Sequence, residues 1–266
     1  MLSDDRALWW AALVLLVLFG LVIGSFLNVV IWRVPRGESV AHPPSACPSC
    51  GHRVRAYDNV PVVSWIVLRG RCRDCHEPIS ARYPLVEGAT AALFGLVLVR
   101  FGLSGALPAF LYLAALGVAL VLIDVDVKRL PNAIVLPAYV VLPALLALAS
   151  WLEGDWGAFL RALIGGAALY AFYFVAMIAY PGGMGFGDVK LAGVLGLALG
   201  WIGWGALIVG AFAAFLLGGI FSIALLAAKR VDRKSGIPFG PWMIVGAALA
   251  VGWGESLWDA YLGLML

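Results

Sequence analysis

Residues 7–31, ALWWAALVLLVLFGLVIGSFLNVVI, run without one charged side chain. A helix needs about 20 such residues to cross the hydrocarbon core of a bilayer. Seven more apolar runs follow, at roughly 85–101, 106–124, 133–151, 158–180, 190–204, 206–228 and 241–260. In lipid every backbone N–H and C=O must find a partner inside the protein, which leaves helices or a closed barrel. The short alternating segments of a barrel are absent from these runs. The chain is 63% hydrophobic and 12% charged, against roughly 25% charged in a soluble domain. The expected fold class is therefore an all-α polytopic membrane protein with about eight transmembrane helices. The stretch 191–228 is too long for one helix and is expected to turn near Gly200–Gly205. The first run exceeds the roughly 7–15 apolar residues of a signal-peptide core, and no small-residue cleavage site follows it. It is expected to remain as the first transmembrane helix.

The positions of the charges set an orientation. Arg33, Arg36, Arg53, Arg55, Arg69, Arg71, Arg73 and Arg82 fall in one polar insert, about residues 33–84. Lys128 and Arg129 follow the third run, Lys190 follows the fifth, and Lys229, Arg230, Arg233 and Lys234 follow the seventh. If eight spans alternate, all of these share one side, and only Arg6, Arg100 and Arg161 fall elsewhere. The excess of Lys and Arg marks that side as cytosolic. Both termini are then expected outside, and the insert, between the first and second helices, is the one extramembrane domain.

All four cysteines lie in the insert, as Cys47-Pro-Ser-Cys50 and Cys72-Arg-Asp-Cys75. Two CxxC knuckles at this spacing read as a four-cysteine zinc site. Two disulfides are the competing reading, and a cytosolic insert argues against them because that compartment is reducing. A domain of about 50 residues also benefits from a metal staple. Four thiolates leave no open coordination position, so the zinc is expected to be structural. His42, His52 and His76 read as solvated side chains.

Acids inside a membrane protein point to function by default, because a charge there is costly. Asp124 and Asp126 stand in VLIDVDVKRLPN at the end of the third run, and Asp188 stands in GFGDVK between the fifth and sixth. Glu87 opens the second run and reads as interfacial. The topology puts Asp124, Asp126 and Asp188 at one membrane depth. Paired, two carboxyls would share a proton and could hydrolyse a peptide bond. The same residues would also suit a proton relay in a transporter, or ordinary interfacial pairing with Lys128, Arg129 and Lys190; in the last case the chain would be a zinc-stabilised membrane adaptor without chemistry. Glycines at 182, 183, 185 and 187 would let the backbone bend and a substrate strand approach. Asp124 and Asp126 point about 200° apart on a helix, so only one of them can face Asp188.

Gly185-Phe186-Gly187-Asp188 matches the GxGD hallmark of intramembrane aspartyl proteases. With the rest of the chain, the sequence closely resembles the bacterial prepilin peptidases, the type IV prepilin leader peptidase/N-methyltransferases. GSFLNVVIWRVP (24–35) is similar to the family's first-helix exit and residues 45–87 to its zinc-bearing domain. IDVDVKRLPN (123–132) is similar to the first catalytic segment and GFGDVK to the second. The resemblance implies that Asp124 and Asp188 are the catalytic pair. In the family pattern the first acid lies eight residues before the polar residue after Leu-Pro; that residue is Asn132 here, where many members carry Asp.

The resemblance also implies an activity. The protein would cut the basic leader from type IV prepilins and type II pseudopilins at the cytoplasmic face, after glycine and before phenylalanine. It would then methylate the new N-terminal amine with S-adenosylmethionine. No Rossmann fingerprint marks a site for that donor; Asn28, Asp58, Asn59, Gly70 and Glu87 are the candidates to bind it. The implied organisation is a first transmembrane helix (1–32), a cytosolic zinc-binding domain of four cysteines that carries the methyl-transfer part (33–84), and a transmembrane peptidase domain (85–266). The expected location is the bacterial cytoplasmic (inner) membrane, with the zinc domain and the aspartates on the cytosolic side. The expected partners are lipid and the pilin substrates, with no nucleic acid.

Overall fold

Each of the eight apolar runs forms one long helix. The computed structural model describes residues 2–180, 184–228 and 238–265. Gly182, Gly183, Lys229, Arg230, Arg233 and Lys234, singled out above, lie outside the described residues. In chain order the described helices are α1 (Leu2–Arg33), α2 (Val63–Val67), α3 (Arg82–Phe101), α4 (Leu107–Val127), α5 (Asn132–Glu153), α6 (Trp156–Ala179), α7 (Phe186–Ile202), α8 (Trp204–Ala227) and α9 (Gly240–Met265). The five-residue α2 lies in the polar insert. Six helices, α1, α3, α4, α5, α6 and α8, are long and apolar enough to cross a membrane. At 17 residues α7 is the shortest of the eight long helices, and every residue from Leu191 to Gly200 is buried. A helix apolar on all faces belongs inside a bundle. The protein is thus an all-α, multi-pass membrane protein.

The chain forms two compact units. The first comprises residues 1–103 with 111–119, and the second 104–110 with 120–266. In the first unit α1 and α3 touch backbone to backbone. A Cβ added at Gly20 would stand 2.7 Å from Ala91 Cα, and one at Gly24 would stand 2.6 Å from Glu87 Cα. Without a hydrophobic drive between helices in lipid, such close approach of small residues holds them together.

In the second unit α6 and α7 meet along a glycine seam, Gly165 and Gly166 against Gly193, Gly196 and Gly200. A Cβ on Gly166 would come within 2.8 Å of Leu197 Cγ, and one on Gly200 within 2.7 Å of the Arg161 carbonyl oxygen. The expected turn after 200 falls at Gly203, in extended backbone. Two charges clamp it. Arg161 Nε donates to the Gly200 carbonyl and its Nη2 to the Trp201 carbonyl, both at 2.9 Å. Glu255 Oε1 accepts the Ala206 N–H at 2.8 Å. Arg161, one of the three bases off the charge pattern, satisfies the orphan carbonyls that end α7, where a cation is favoured. Glu255 serves the amides that begin α8.

Candidate active site and metal centre

Five chain ends of the second unit meet around the two acids. These are the last turn of α4, the first residues of α5, α7 and α9, and the last turns of α6. Asp124 faces inward and is 5% exposed, whereas Asp126, two residues on, is exposed. Lys128 ends α4 in a left-handed turn, its N–H bonded to the Asp124 carbonyl at 2.9 Å. Asp188 is the third residue of α7. Its Oδ2 accepts the Gly185 N–H at 3.0 Å, the one half of a capping box that a glycine N-cap allows. The Asp124 and Asp188 carboxyls lie within electrostatic reach of each other.

Leu130, from IDVDVKRLPN, wedges into a notch made by two glycines. A Cβ on Gly187 would stand 3.1 Å from Leu130 Cβ, and one on Gly240 would stand 3.6 Å from Leu130 Cδ1. The space left by Gly187 is therefore taken by Leu130 and not open to a substrate strand. A Cβ on Gly185 would meet Asp188 Oδ2 at 3.5 Å, an ordinary contact, and nothing closer.

Gly240 adjoins Asp124 as well, so the segment Pro238-Phe239-Gly240-Pro241 borders the site. The sequence reading passed over it. Its signal was available: a glycine between prolines at the mouth of an apolar run is the same kind of interruption as GFGD.

Lys190 reaches across to α5. Its Nζ donates to Asn132 Oδ1 and lies 4.9 Å from the Phe186 ring centroid. The Lys190 carbonyl accepts the Tyr139 hydroxyl at 2.6 Å. Tyr139 and Asn132 thus tie α5 to the second turn of α7.

In the first unit the four cysteines converge. Their sulfurs lie within 4.8 Å of one another, with Cys47 and Cys75 at 3.7 Å. All four are free thiols. Four sulfurs around one zinc at about 2.3 Å would be about 3.8 Å apart, so the arrangement fits a tetrahedral ion. The knuckles are near copies. Cys47 N–H bonds to the His52 carbonyl and Cys72 N–H to the Glu77 carbonyl, both at 2.9 Å. Gly51 and His76 follow the two CxxC pairs at φ +72° and +59°. Histidine tolerates that left-handed region better than most residues.

Amide donors from Cys50 and Ser49 hold the Cys47 thiol down to about 6. Cys75, despite an amide from Glu77, is pushed up to about 12 by desolvation and the surrounding thiols. Four sulfurs so placed cannot all be anionic without a cation between them.

The second knuckle is braced by ions. Arg73 binds Asp58 through two nitrogens, at 2.6 to 3.0 Å, and Arg55 binds Asp74 at 2.9 Å. Both bonds hold the 3₁₀ turn Ala56–Asp58, which ends at Asn59, against that knuckle. Gly70, at φ +66°, lies under the Trp65 ring, 2.8 Å from where a Cβ would be. Trp65 Nε1 donates to the Ile79 carbonyl at 3.0 Å.

Asn28 and Glu87 stand apart from these. Asn28 Nδ2 donates to the Gly24 and Tyr83 carbonyls at 3.3 and 3.2 Å. Glu87 is 7% exposed, with the loop before α2 against it. Its Oε2 accepts the Val62 N–H at 2.7 Å. Of the five candidates to bind the methyl donor, Asn28 and Glu87 each lie against Gly24, while Asp58 and Gly70 are engaged in bracing the insert.

Two family descriptions match the chain. Residues 18–101 match the Bacterial Peptidase A24 N-terminal domain, and residues 110–223 match the Type IV leader peptidase family. Similar proteins include the prepilin leader peptidase/N-methyltransferase of Stutzerimonas stutzeri, 34% identical over 98% of this chain and 96% of that protein. The protein of the same name from Aeromonas hydrophila is 36% identical over 98% of both chains. That of Pseudomonas aeruginosa is 34% identical over 92% of both. No solved structure matches.

Proposed function

Because this chain belongs to the type IV leader peptidase family, we propose that it is a bifunctional enzyme of the bacterial cytoplasmic membrane. It removes the basic leader of type IV prepilins and type II pseudopilins and N-methylates the new terminus. The observation that carries the peptidase half is a buried Asp124 at the end of α4 within electrostatic reach of Asp188 at the start of α7.

Two close carboxyls share one proton. The ionised one takes a proton from water, whose oxygen attacks the scissile carbonyl. The protonated one donates to the carbonyl oxygen. Collapse of the tetrahedral intermediate breaks the C–N bond, and the amine leaves with a proton from the dyad. Asp126, exposed at the same helix end, takes no part. A prepilin carries a basic leader ahead of an apolar helix, so its cut site lies at the cytosolic interface. Acids at helix ends suit that depth, and no observation favours a mid-membrane proton relay, whose sites sit near the bilayer centre.

The methyl-transfer half is assigned to the four-cysteine insert, residues 33–84, with Asn28 and Glu87 at its base. S-adenosylmethionine supplies the methyl group; the acceptor is the amine freed by cleavage, which must lose a proton to act as nucleophile. Cys47, Cys50, Cys72 and Cys75 would hold a structural zinc, and the insert and both aspartates would face the cytosol.

Mass spectrometry of a prepilin incubated with the purified protein, with and without S-adenosylmethionine, tests both halves. The expected products are the cleaved pilin alone and the cleaved pilin plus one methyl group. An intact prepilin would overturn the peptidase assignment.

A further inference from the structure

The segment from Pro238 to Pro241 has no role in the chemistry above, yet it borders Asp124. Gly240 is the first residue of α9 and is buried. A Cβ built on it would stand 2.7 Å from Asp124 Oδ2 and 3.4 Å from Asp124 Cγ. The carboxyl thus occupies the space that any side chain at 240 would need. Oδ2 is buried and has no hydrogen-bond partner among the described residues, and the Gly240 amide lies against the same carboxyl.

The segment is fixed from behind. The Phe239 ring centroid is 5.2 Å from that of Phe215 and 6.3 Å from that of Tyr173. Gly218 makes room for the ring, since a Cβ there would stand 3.1 Å from it. Pro241 follows at a position where its locked φ suits a first helical turn. A methyl group added at 240 therefore displaces Asp124, the softer neighbour, and not the backbone.

We propose that Gly240 is a positioning residue for Asp124. Its bare Cα and the amide that opens α9 set where the Asp124 carboxyl sits relative to Asp188. The two acids then have parallel settings. Asp188 is held in the first turn of α7 by the Gly185 amide, and Asp124 faces the first residue of α9. Each carboxyl meets the partly positive start of a helix, which favours an anion.

The kinetic consequence rests on the peptidase function proposed above; the contact itself does not. In the full-length protein, Gly240→Ala is expected to lower kcat for prepilin cleavage by about 100-fold, the cost of misplacing a reacting group by about 1 Å, with KM unchanged. Gly252→Ala, in the same helix where a Cβ meets nothing within 4 Å, is expected to keep the parental kcat.

A second arm needs no activity. Tm is measured for the parent, Gly240→Ala, Asp124→Ala and the double variant. Contacting residues are non-additive, so Gly240→Ala should lower Tm in the parent and leave it unchanged where Asp124 is already Ala. Should Gly240→Ala not fold alone, the double variant is expected to fold. Parental kcat in Gly240→Ala, additive Tm changes, or a double variant that also fails to fold would each overturn the proposal. A parent that leaves prepilin uncut while the Tm values couple would sink the peptidase function and keep the positioning role.

Discussion

The Lys190 ammonium donates to the side-chain oxygen of Asn132, joining the first residue of α5 to the second turn of α7. With the Tyr139 bond to the Lys190 carbonyl, this pins the helix that carries Asp188. Asn132→Leu removes the acceptor of an exposed bond, an expected loss of no more than about 0.5–1.5 kcal/mol. Asn132→Asp keeps an acceptor and adds the opposite charge, so it should hold parental stability and cleavage. Thermal unfolding and a cleavage time course read both.

Asp124→Asn and Asp188→Asn should each slow prepilin cleavage by about 10²–10⁴-fold, the usual worth of a positioned acid or base. Asp126→Asn, at an exposed position, should leave the rate near parental. Methylation of a pilin cleaved beforehand should survive in all three. Separate assays on precursor and mature pilin check this, and a slow Asp126→Asn with a normal Asp124→Asn would reassign the first acid.

Metal analysis of the purified protein should find about one zinc per chain, because four cysteines form one cluster. Cys72→Ser should lose it, and methyl transfer should fall with it. Zinc binding needs thiolates, so protons compete with the ion. Its content should therefore drop as pH is lowered and recover as pH is raised.

Arg161→Met leaves the Gly200 and Trp201 carbonyls without their donors. The expected cost is about 1–3 kcal/mol, since buried polar groups lose their partners. A lower Tm with unchanged metal content would place the damage at the α7–α8 turn and not in the insert.

Helix number and the cysteine cluster were legible because composition and spacing carry them directly: lipid demands long apolar runs, and a tetrahedral ion demands paired cysteines. Helix geometry allows only one of Asp124 and Asp126 to face inward; the choice of Asp124 came from the family resemblance. Other features depend on partners distant in the chain. Gly187 looked like room for substrate, but only the fold reveals that Leu130, 57 residues earlier by number, fills it. Glu87 reads as an interfacial acid in the sequence, and only the fold shows that its carboxyl accepts the Val62 N–H. Gly240 carries no charge and so drew no notice, although an interrupted apolar run marked it. Arg161 broke the charge pattern because it answers to the end of α7 and not to the membrane potential.

The glycine seam between α6 and α7 has a consequence for the height of Asp188. Backbones this close admit one register. Sliding α7 by one turn, about 5.4 Å, would carry Leu197 to the place of Gly193, against Tyr139, or Ala192 to that of Gly196, against Gly165. Asp188 cannot drift along the membrane normal by small steps. The seam holds Asp188 at a fixed height relative to α6, set by contacts within the protein.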